Sequence, residues 1–339
     1  MAAVTLQDVA DRSGVSLATA SRVLNGSART PGKEISERVR RVAVELGYLA
    51  NAQAQALALS ATRLIGLVVH DIADPYFSSI THGVQVAARR LGRDVLVADT
   101  GLDPAAEYDA VRAFLAHRAD AIILAGSRFA RGADAAVRDA LTRHAFHGGR
   151  VAVIGQPLIG ARAVVLENHD GAAALADELV AEGHERFAIL RGPESLVTAN
   201  DRTAGFVTAL HEHGIDPVHV VGGGFSRDGG YAAAQHLVAT LPRQSPGDLC
   251  VFAVNDVMAI GAIAAFRDAG LRVPGEIQVA GFDDIPTLRD FVPGLTTVRV
   301  PLAAMGEHAV ALALGADDPP AELSVAGEVV LRESTRRSS

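Results

Sequence analysis

Cysteine is all but absent from this chain. Cys250 stands alone within the apolar run Leu249-Cys250-Val251-Phe252, so neither an intramolecular disulfide nor a redox pair is available, and the thiol reads as a small core residue. Long apolar runs are missing as well. No stretch of about eighteen apolar residues occurs, which argues against a membrane-spanning helix. The first residues lack the basic and apolar regions of a secretory leader, so a cytoplasmic location is expected, with no membrane partner. Gly222-Gly223-Gly224 lacks the lysine and Ser/Thr of a phosphate-binding loop, and no GxGxxG opens the first helix. His211 and His213 sit two apart on an expected helix and face away from each other, so no metal site is read from them. With no nucleophile–base pair and no metal-ligand cluster legible, an enzyme is not expected, nor a cofactor.

The first twenty-five residues carry the strongest positive signal. Thr5 can cap a helix with Asp8 in capping-box register, and Leu6, Val9 and Ala10 share its packing face. Gly14 supplies a tight turn, and Ser16 can cap a second helix at once. Ala20, Val23 and Leu24 form that helix's apolar stripe, which leaves Leu17, Ala18, Ser21, Arg22 and Asn25 on or near its outward side, where a DNA major groove would meet them. A third helix is expected over residues 36–46, stopped by Gly47, enough to close a small three-helix core. Residues 1–63 hold eight Lys/Arg against five Asp/Glu, a balance of +3, so the remainder carries −11 of the chain's net −8. A basic end on an acidic body suits a nucleic-acid head attached to a solute-handling domain.

Between head and body, Asn51 can cap a segment of good helix formers, Ala52 to Leu59. Roughly eight residues is short, because isolated helices below about 12 to 15 residues are marginal in water and ordering costs about 1–2 kcal/mol per residue. Such a helix is expected to form only with partners.

From Leu64 onward, apolar strands alternate with helical patterns. Residues 64–69, 94–98, 121–124 and 151–154 read as one set, and residues 164–166, 187–190, 218–221, 249–252 and 277–280 as a second. Two βα sets imply two parallel-sheet lobes with a crevice between them. In open α/β sheets ligands bind beyond the carboxyl ends of the strands. That rule selects His70, Asp71, Tyr76 and Phe77, then Ser127 and Arg128, then Gln156, Arg191 and Phe225, and finally Asn255 and Asp283.

Taken together, Val4-Thr5-Leu6, Asp8-Val9-Ala10, Gly14-Val15-Ser16, Thr19, Ser21-Arg22-Val23, Asn25, Leu46-Gly47-Tyr48, Asn51, Leu57 and Ile65-Gly66 closely resemble the lactose-repressor (LacI/GalR) family of bacterial transcription regulators. The body matches too, at Asp74-Pro75-Tyr76-Phe77, Asn255-Asp256 and Gly281-Phe282-Asp283-Asp284. Arg202, ahead of Ala204-Gly205-Phe206, stands at the family's effector-binding arginine.

The resemblance implies an α/β chain with an all-α helix-turn-helix head (1–49), a hinge helix or linker (50–62) and a two-lobed periplasmic-binding-protein-like body (63–339) of doubly wound parallel sheets. Lobe crossings are expected near Arg162, Pro293 and Glu322, placing 63–162 and 294–322 in one lobe and 163–293 and 323–339 in the other. It further implies a repressor acting as a homodimer on a pseudo-palindromic double-stranded operator, under control of a small-molecule effector, a sugar or sugar derivative, in the cleft. DNA contact is expected from Thr5, Leu6, Ser16, Leu17, Ala18, Thr19, Ser21, Arg22 and Asn25 in the head and from Asn51, Gln55 and Leu57 in the hinge, Leu57 as the wedge between central base pairs. Gln55 replaces a common arginine there, and Ala50 a common proline. Effector contact is expected from Arg202 together with the strand-end residues apart from Arg191. Arg202 and Asp283 suit vicinal hydroxyls, and Phe77 or Phe225 a ring face. Leu196 and Val197 replace polar effector contacts of the purine-responsive type. Arg191 is an extra cation, read either as a ligand anion partner or as half of a surface salt bridge. The tail after Leu331 shows no heptad, which favours a dimer over a coiled-coil tetramer. The alternative class is a transport solute-binding protein, against which the head and the missing leader both weigh.

Overall fold

The computed structural model describes residues 4–25, 31–48, 62–129, 135–158, 160–241, 248–315 and 320–336. Asn51, Gln55, Leu57 and nearly all of the expected hinge lie outside them, as does the Asn25 side chain. The chain divides into two compact units, residues 1–63 and 64–339.

In the first unit, α1 (Leu6–Ser13) begins with a capping box: the Thr5 hydroxyl accepts from the Asp8 N–H and the Asp8 carboxylate accepts from the Thr5 N–H at 2.8 Å. Gly14 ends it in the left-handed region at φ 65°. Ser16 then accepts from the Thr19 N–H at 3.2 Å and opens α2 (Leu17–Asn25). The third helix, α3 (Lys33–Leu46), starts three residues before the expected position, because Gly32 serves as its N-cap and Ser36, instead of capping, donates back to the Pro31 carbonyl. Val9, Ala10, Ala20, Val23, Val39, Val42 and Ala43 close the core. Arg38 ties α3 to the end of α1 through the Ser13 carbonyl at 3.1 Å.

The second unit holds two parallel sheets. The larger has the order β11-β5-β4-β3-β1-β2, formed by Glu322–Val325, Arg162–Leu166, Arg150–Ile154, Ala121–Ala125, Leu64–Val69 and Asp94–Asp99 respectively. The smaller runs β7-β6-β8-β9, formed by His219–Gly222, Arg186–Arg191, Leu249–Ala253 and Gln278–Ala280. An antiparallel ribbon of β10 (Thr297–Arg299) and β12 (Glu328–Val330) completes the set. Central strands β3 and β8 are buried along their whole length, as sheets covered by helices on both faces require. Cys250 lies within β8, buried as expected.

Strand pairing places the crossings a few residues beyond the expected neighbourhoods of Arg162, Pro293 and Glu322. β5 pairs with β4 and β11, so the strand that begins at Arg162 still belongs to the first sheet and the chain leaves it only after Leu166. Likewise β11 stays with the first sheet through Val325, and the middle crossing falls after Arg299, since Thr296 and Arg299 still bridge to Ala280 and Asp283. The break in apolar pattern at Arg162 marks a strand start. Periodicity reports which residues are buried, whereas parallel pairing is set by distant segments.

Helices pack closely where side chains are absent. A Cβ on Gly83 of α4 (Pro75–Arg90) would collide with the Ala303 carbonyl, and one on Gly306 of α11 (Leu302–Leu314) with the Ile80 carbonyl, so the two glycines set this crossing reciprocally. Among the described residues no helix is long and apolar enough to cross a membrane.

Candidate functional site

In the head, the α2 face opposite the core presents Leu17, 46% exposed, with Ala18 and Arg22 also exposed. Ser16 and Thr5 are exposed at the helix starts, while Thr19 and Ser21 are half-buried. Leu6 packs against the core, which leaves it a smaller share in any surface contact.

In the body, a narrow cavity of about 30 Å³ lies where both sheets end. The floor is Arg202, 1% exposed, on α8 (Val197–Glu212). Its Nε donates to Asn168 Oδ1, Nη1 to the Val254 carbonyl and Nη2 to Asp283 Oδ1, each at 2.8 Å. The guanidinium also lies 3.9 Å above the Phe282 ring centroid. A guanidinium has five N–H donors, so one on each Nη remains for a ligand.

Asp283 is held at φ 120°, a conformation side chains rarely adopt, by its N–H on the Val298 carbonyl and its carbonyl on the Val300 N–H. Such strain costs on the order of 1–3 kcal/mol and gathers at ligand sites. Burial pushes the Asp283 carboxyl up to about 8, against the pull of Arg202. Asp256, also buried, accepts from the Thr297 hydroxyl at 2.7 Å and the Ile285 N–H at 2.9 Å, and burial raises it to about 6. It braces the Asp283 loop from behind.

Helix starts supply the other polar groups. Asn255 caps α10 (Asp256–Asp268) through the Met258 N–H and keeps its Nδ2 donors for the cavity it lines. Asp74 caps α4 through the Tyr76 N–H, and Tyr76 and Phe77 of the first turn line the wall. His70, 5% exposed, packs 5.5 Å from Phe77 between ring centroids. Burial, reinforced by the charge of Arg128, holds its imidazole neutral down to about 3.

The His70 shift has a measurable consequence. An unfolded histidine takes up a proton near pH 6.5 that the fold refuses until about 3, so the fold loses stability as pH falls through that window. At about 1.4 kcal/mol per unit, urea unfolding of His70→Gln should lose about 3 kcal/mol less than the parent between pH 7 and pH 4. Contributions from Asp283 and Asp256 cancel in the difference. Parallel curves would show that His70 is not a buried neutral base.

Of the residues expected at the ligand, His70, Tyr76, Phe77, Ser127, Arg202, Phe225, Asn255 and Asp283 line this cavity. Asp71 lies instead in the wider space outside it. Arg128 and Gln156 are otherwise engaged. A buried guanidinium requires a carboxylate, and Arg128 meets the buried Glu107 at 2.6 Å inside the first lobe. Gln156 accepts from the Arg128 N–H at 2.8 Å and donates to the Thr198 hydroxyl at 3.0 Å. Arg191 pairs with Glu194, the surface salt bridge of the two readings. Asp74, quoted in the sequence only within the matching Asp74-Pro75-Tyr76-Phe77 run, also lines the cavity, as do Asn168, Thr198 and Met305, which sequence reasoning missed. Thr198 stands one helical turn before Arg202, a spacing that signals a shared face; nothing local marks Met305.

The start of α8 is capped from the opposite lobe. Its N-cap, Leu196, makes no side-chain bond, yet the Val197 N–H donates to the Arg128 carbonyl and the Thr198 N–H to Ser127 Oγ, both at 3.1 Å. Helix-end donors of the Arg202 helix are therefore satisfied only while the lobes stay together here.

Comparison with known proteins places these features. Residues 5–51 match the model of bacterial regulatory proteins of the lacI family, and residues 176–335 that of the periplasmic binding protein-like domain. The HTH-type transcriptional regulator GalS of Salmonella typhimurium is 33% identical over 320 residues, covering 92% of this chain and 89% of GalS. Among solved structures, the lac repressor dimer bound to operator and the anti-inducer ONPF aligns with a TM-score of 0.82 at 28% identity, covering 98% of this chain and 99% of that one. The regulator CelR in complex with cellobiose aligns at 0.69 and 28%, again over 98% and 99%. A basic helix-turn-helix head, a two-lobed body with a buried arginine at its cleft, and relatives matched along nearly their whole length agree: this chain belongs to the LacI family of bacterial regulatory proteins and is a DNA-binding transcriptional regulator.

Proposed function

We propose that the protein represses transcription as a cytoplasmic homodimer, each head reading half of a pseudo-palindromic operator, with a sugar or sugar derivative in the cleft controlling operator affinity. The observation that carries the effector half is Arg202, buried, anchored on three sides and left with two free donors beside Asp283 and Asn255. Paired donors and acceptors of this kind match vicinal hydroxyls, and Phe225 or Phe77 offers a face for the ring. The cleft binds its ligand and releases it unchanged. Relatives support the assembly: the lac repressor is seen as a dimer on operator, and CelR holds cellobiose.

Coupling runs through the capped start of α8. A ligand that draws Arg202 toward the first lobe also favours the Ser127 and Gln156 bonds to Thr198, so closed and open lobes differ in affinity, as population shift requires.

Selection from a random pool of duplexes tests the operator half: the full chain should enrich a two-fold symmetric site, and enrichment of none would overturn the reading. On that site Arg22→Ala should lose about 1–3 kcal/mol, or roughly 5- to 150-fold in affinity, because the arginine stands free on the outward face of α2 to pair with a guanine. Effector affinity should not move.

A further inference from the structure

Asp283 lines the cleft, and its neighbour Asp284 lines a separate cavity of about 500 Å³ in which three arginines meet, Arg289, Arg299 and Arg332. We infer that this cavity binds a phosphate group, free or as a small monoester, at a site distinct from the effector cleft. Among the described residues the two cavities share no lining residue. Arg289 stands on the short helical turn Pro286–Asp290, Arg299 ends β10, and Arg332 follows β12, so three separate segments bring their guanidinium groups to one wall.

Charge and preorganisation select the ligand. Asp284 is the one acid on this wall, and it is shared: it accepts from Arg299 Nε at 2.8 Å and from Arg332 Nη2 at 2.7 Å. Arg289 is exposed and has no carboxylate partner among the described residues. Three cations against one carboxylate leave two positive charges, which a dianion matches and a monocarboxylate does not. Glu328 reaches Arg299 Nη1 at 3.3 Å, but it is 74% exposed and outside the cavity, so water screens most of its pull. With Asp284 holding Arg299, and Asp284 and the Leu295 carbonyl holding Arg332, each guanidinium is fixed in place with donors to spare, the fork that phosphate oxygens fit. Ala303 and Ala304, in the first turn of α11, line the same cavity and add the positive end of that helix to the arginine charge. Ile285, Pro286, Val300 and Pro301 leave an apolar flank for the organic part of an ester. Ser79 and the α11 start belong to the first lobe, whereas Asp284 and Arg289 follow β9 of the second, so a bound phosphate bridges the lobes and favours the arrangement in which the start of α8 is capped.

Calorimetry on the full chain at about pH 8, where the phosphate group is a dianion, tests this with inorganic phosphate, glycerol 3-phosphate and glucose 6-phosphate, and with acetate at matched ionic strength. At least one phosphate compound should saturate one site per chain and bind about tenfold or more tighter than acetate. An ester that binds tighter than inorganic phosphate identifies an organic phosphate as the ligand, and equal affinities identify free phosphate. Arg289→Glu reverses an exposed charge outside the cleft and should weaken that binding about tenfold or more; Ala304→Glu, which sets a carboxylate at the start of α11, is the second variant should the first misfold. A phosphate compound that binds the folded variant as tightly as the parent is held elsewhere, in the cleft included, and that result overturns the inference. So does the lack of saturable binding by any of the three compounds.

Discussion

Arg202→Met should abolish effector binding and lower folding stability by about 3 kcal/mol or more, since buried acceptors left unsatisfied cost about 1–3 kcal/mol each. Three acceptors lose their donor at once: Asn168 Oδ1, the Val254 carbonyl and Asp283 Oδ1. Asp283 then has burial pushing its carboxyl up and nothing as near to pull it back, so it stays protonated at neutral pH, which limits the loss without removing it. The strained Asp283 loop also loses the partner that helps hold it. Adding Asp283→Asn should recover part of the stability at alkaline pH, where the buried acid would otherwise have to ionise without a cation, yet none of the binding. For the ligand, two free donors and the positioned carboxylate vanish together, a loss of at least about 100-fold. An affinity within tenfold of the parent, or an unchanged urea midpoint, would remove Arg202 from the centre of the site.

Leu57→Gly should weaken operator binding by about 100-fold or more and leave effector affinity untouched. A segment of roughly eight residues pays its ordering cost only in contact with DNA and a second copy, glycine adds about 1 kcal/mol against a helix in each subunit, and the apolar wedge offsetting a few kcal/mol of base unstacking is lost. Leu57→Met, which keeps an apolar wedge and a good helix former, should retain most of the affinity. Gel shifts on the selected operator decide it. Equal binding by the glycine variant would mean that the segment is a tether and that control reaches the heads another way.

The head was legible almost to the residue because its signals are local: a capping box, a left-handed glycine and an apolar stripe each act within a turn or two. Only the third helix shifted, its start moved from Ser36 back to Lys33 by the Gly32 N-cap. At the cleft, the strand-end rule found most of the lining, since the carboxyl ends of parallel strands converge whatever the side chains are. It overreached at Arg128 and Gln156, whose positions are strand ends but whose partners, Glu107 and Thr198, come from helices far along the chain.

What the residues alone determined, then, is which segments are helices, which strands are buried, and that a basic reading head precedes a two-lobed cleft. Tertiary structure alone decided that the strand from Arg162 stays in the first sheet, that the start of the Arg202 helix is capped from the other lobe, and that Asp283 sits strained beside its arginine. Caps and periodicity act over a few residues, whereas parallel pairing and buried charge need partners that only the folded chain brings within reach.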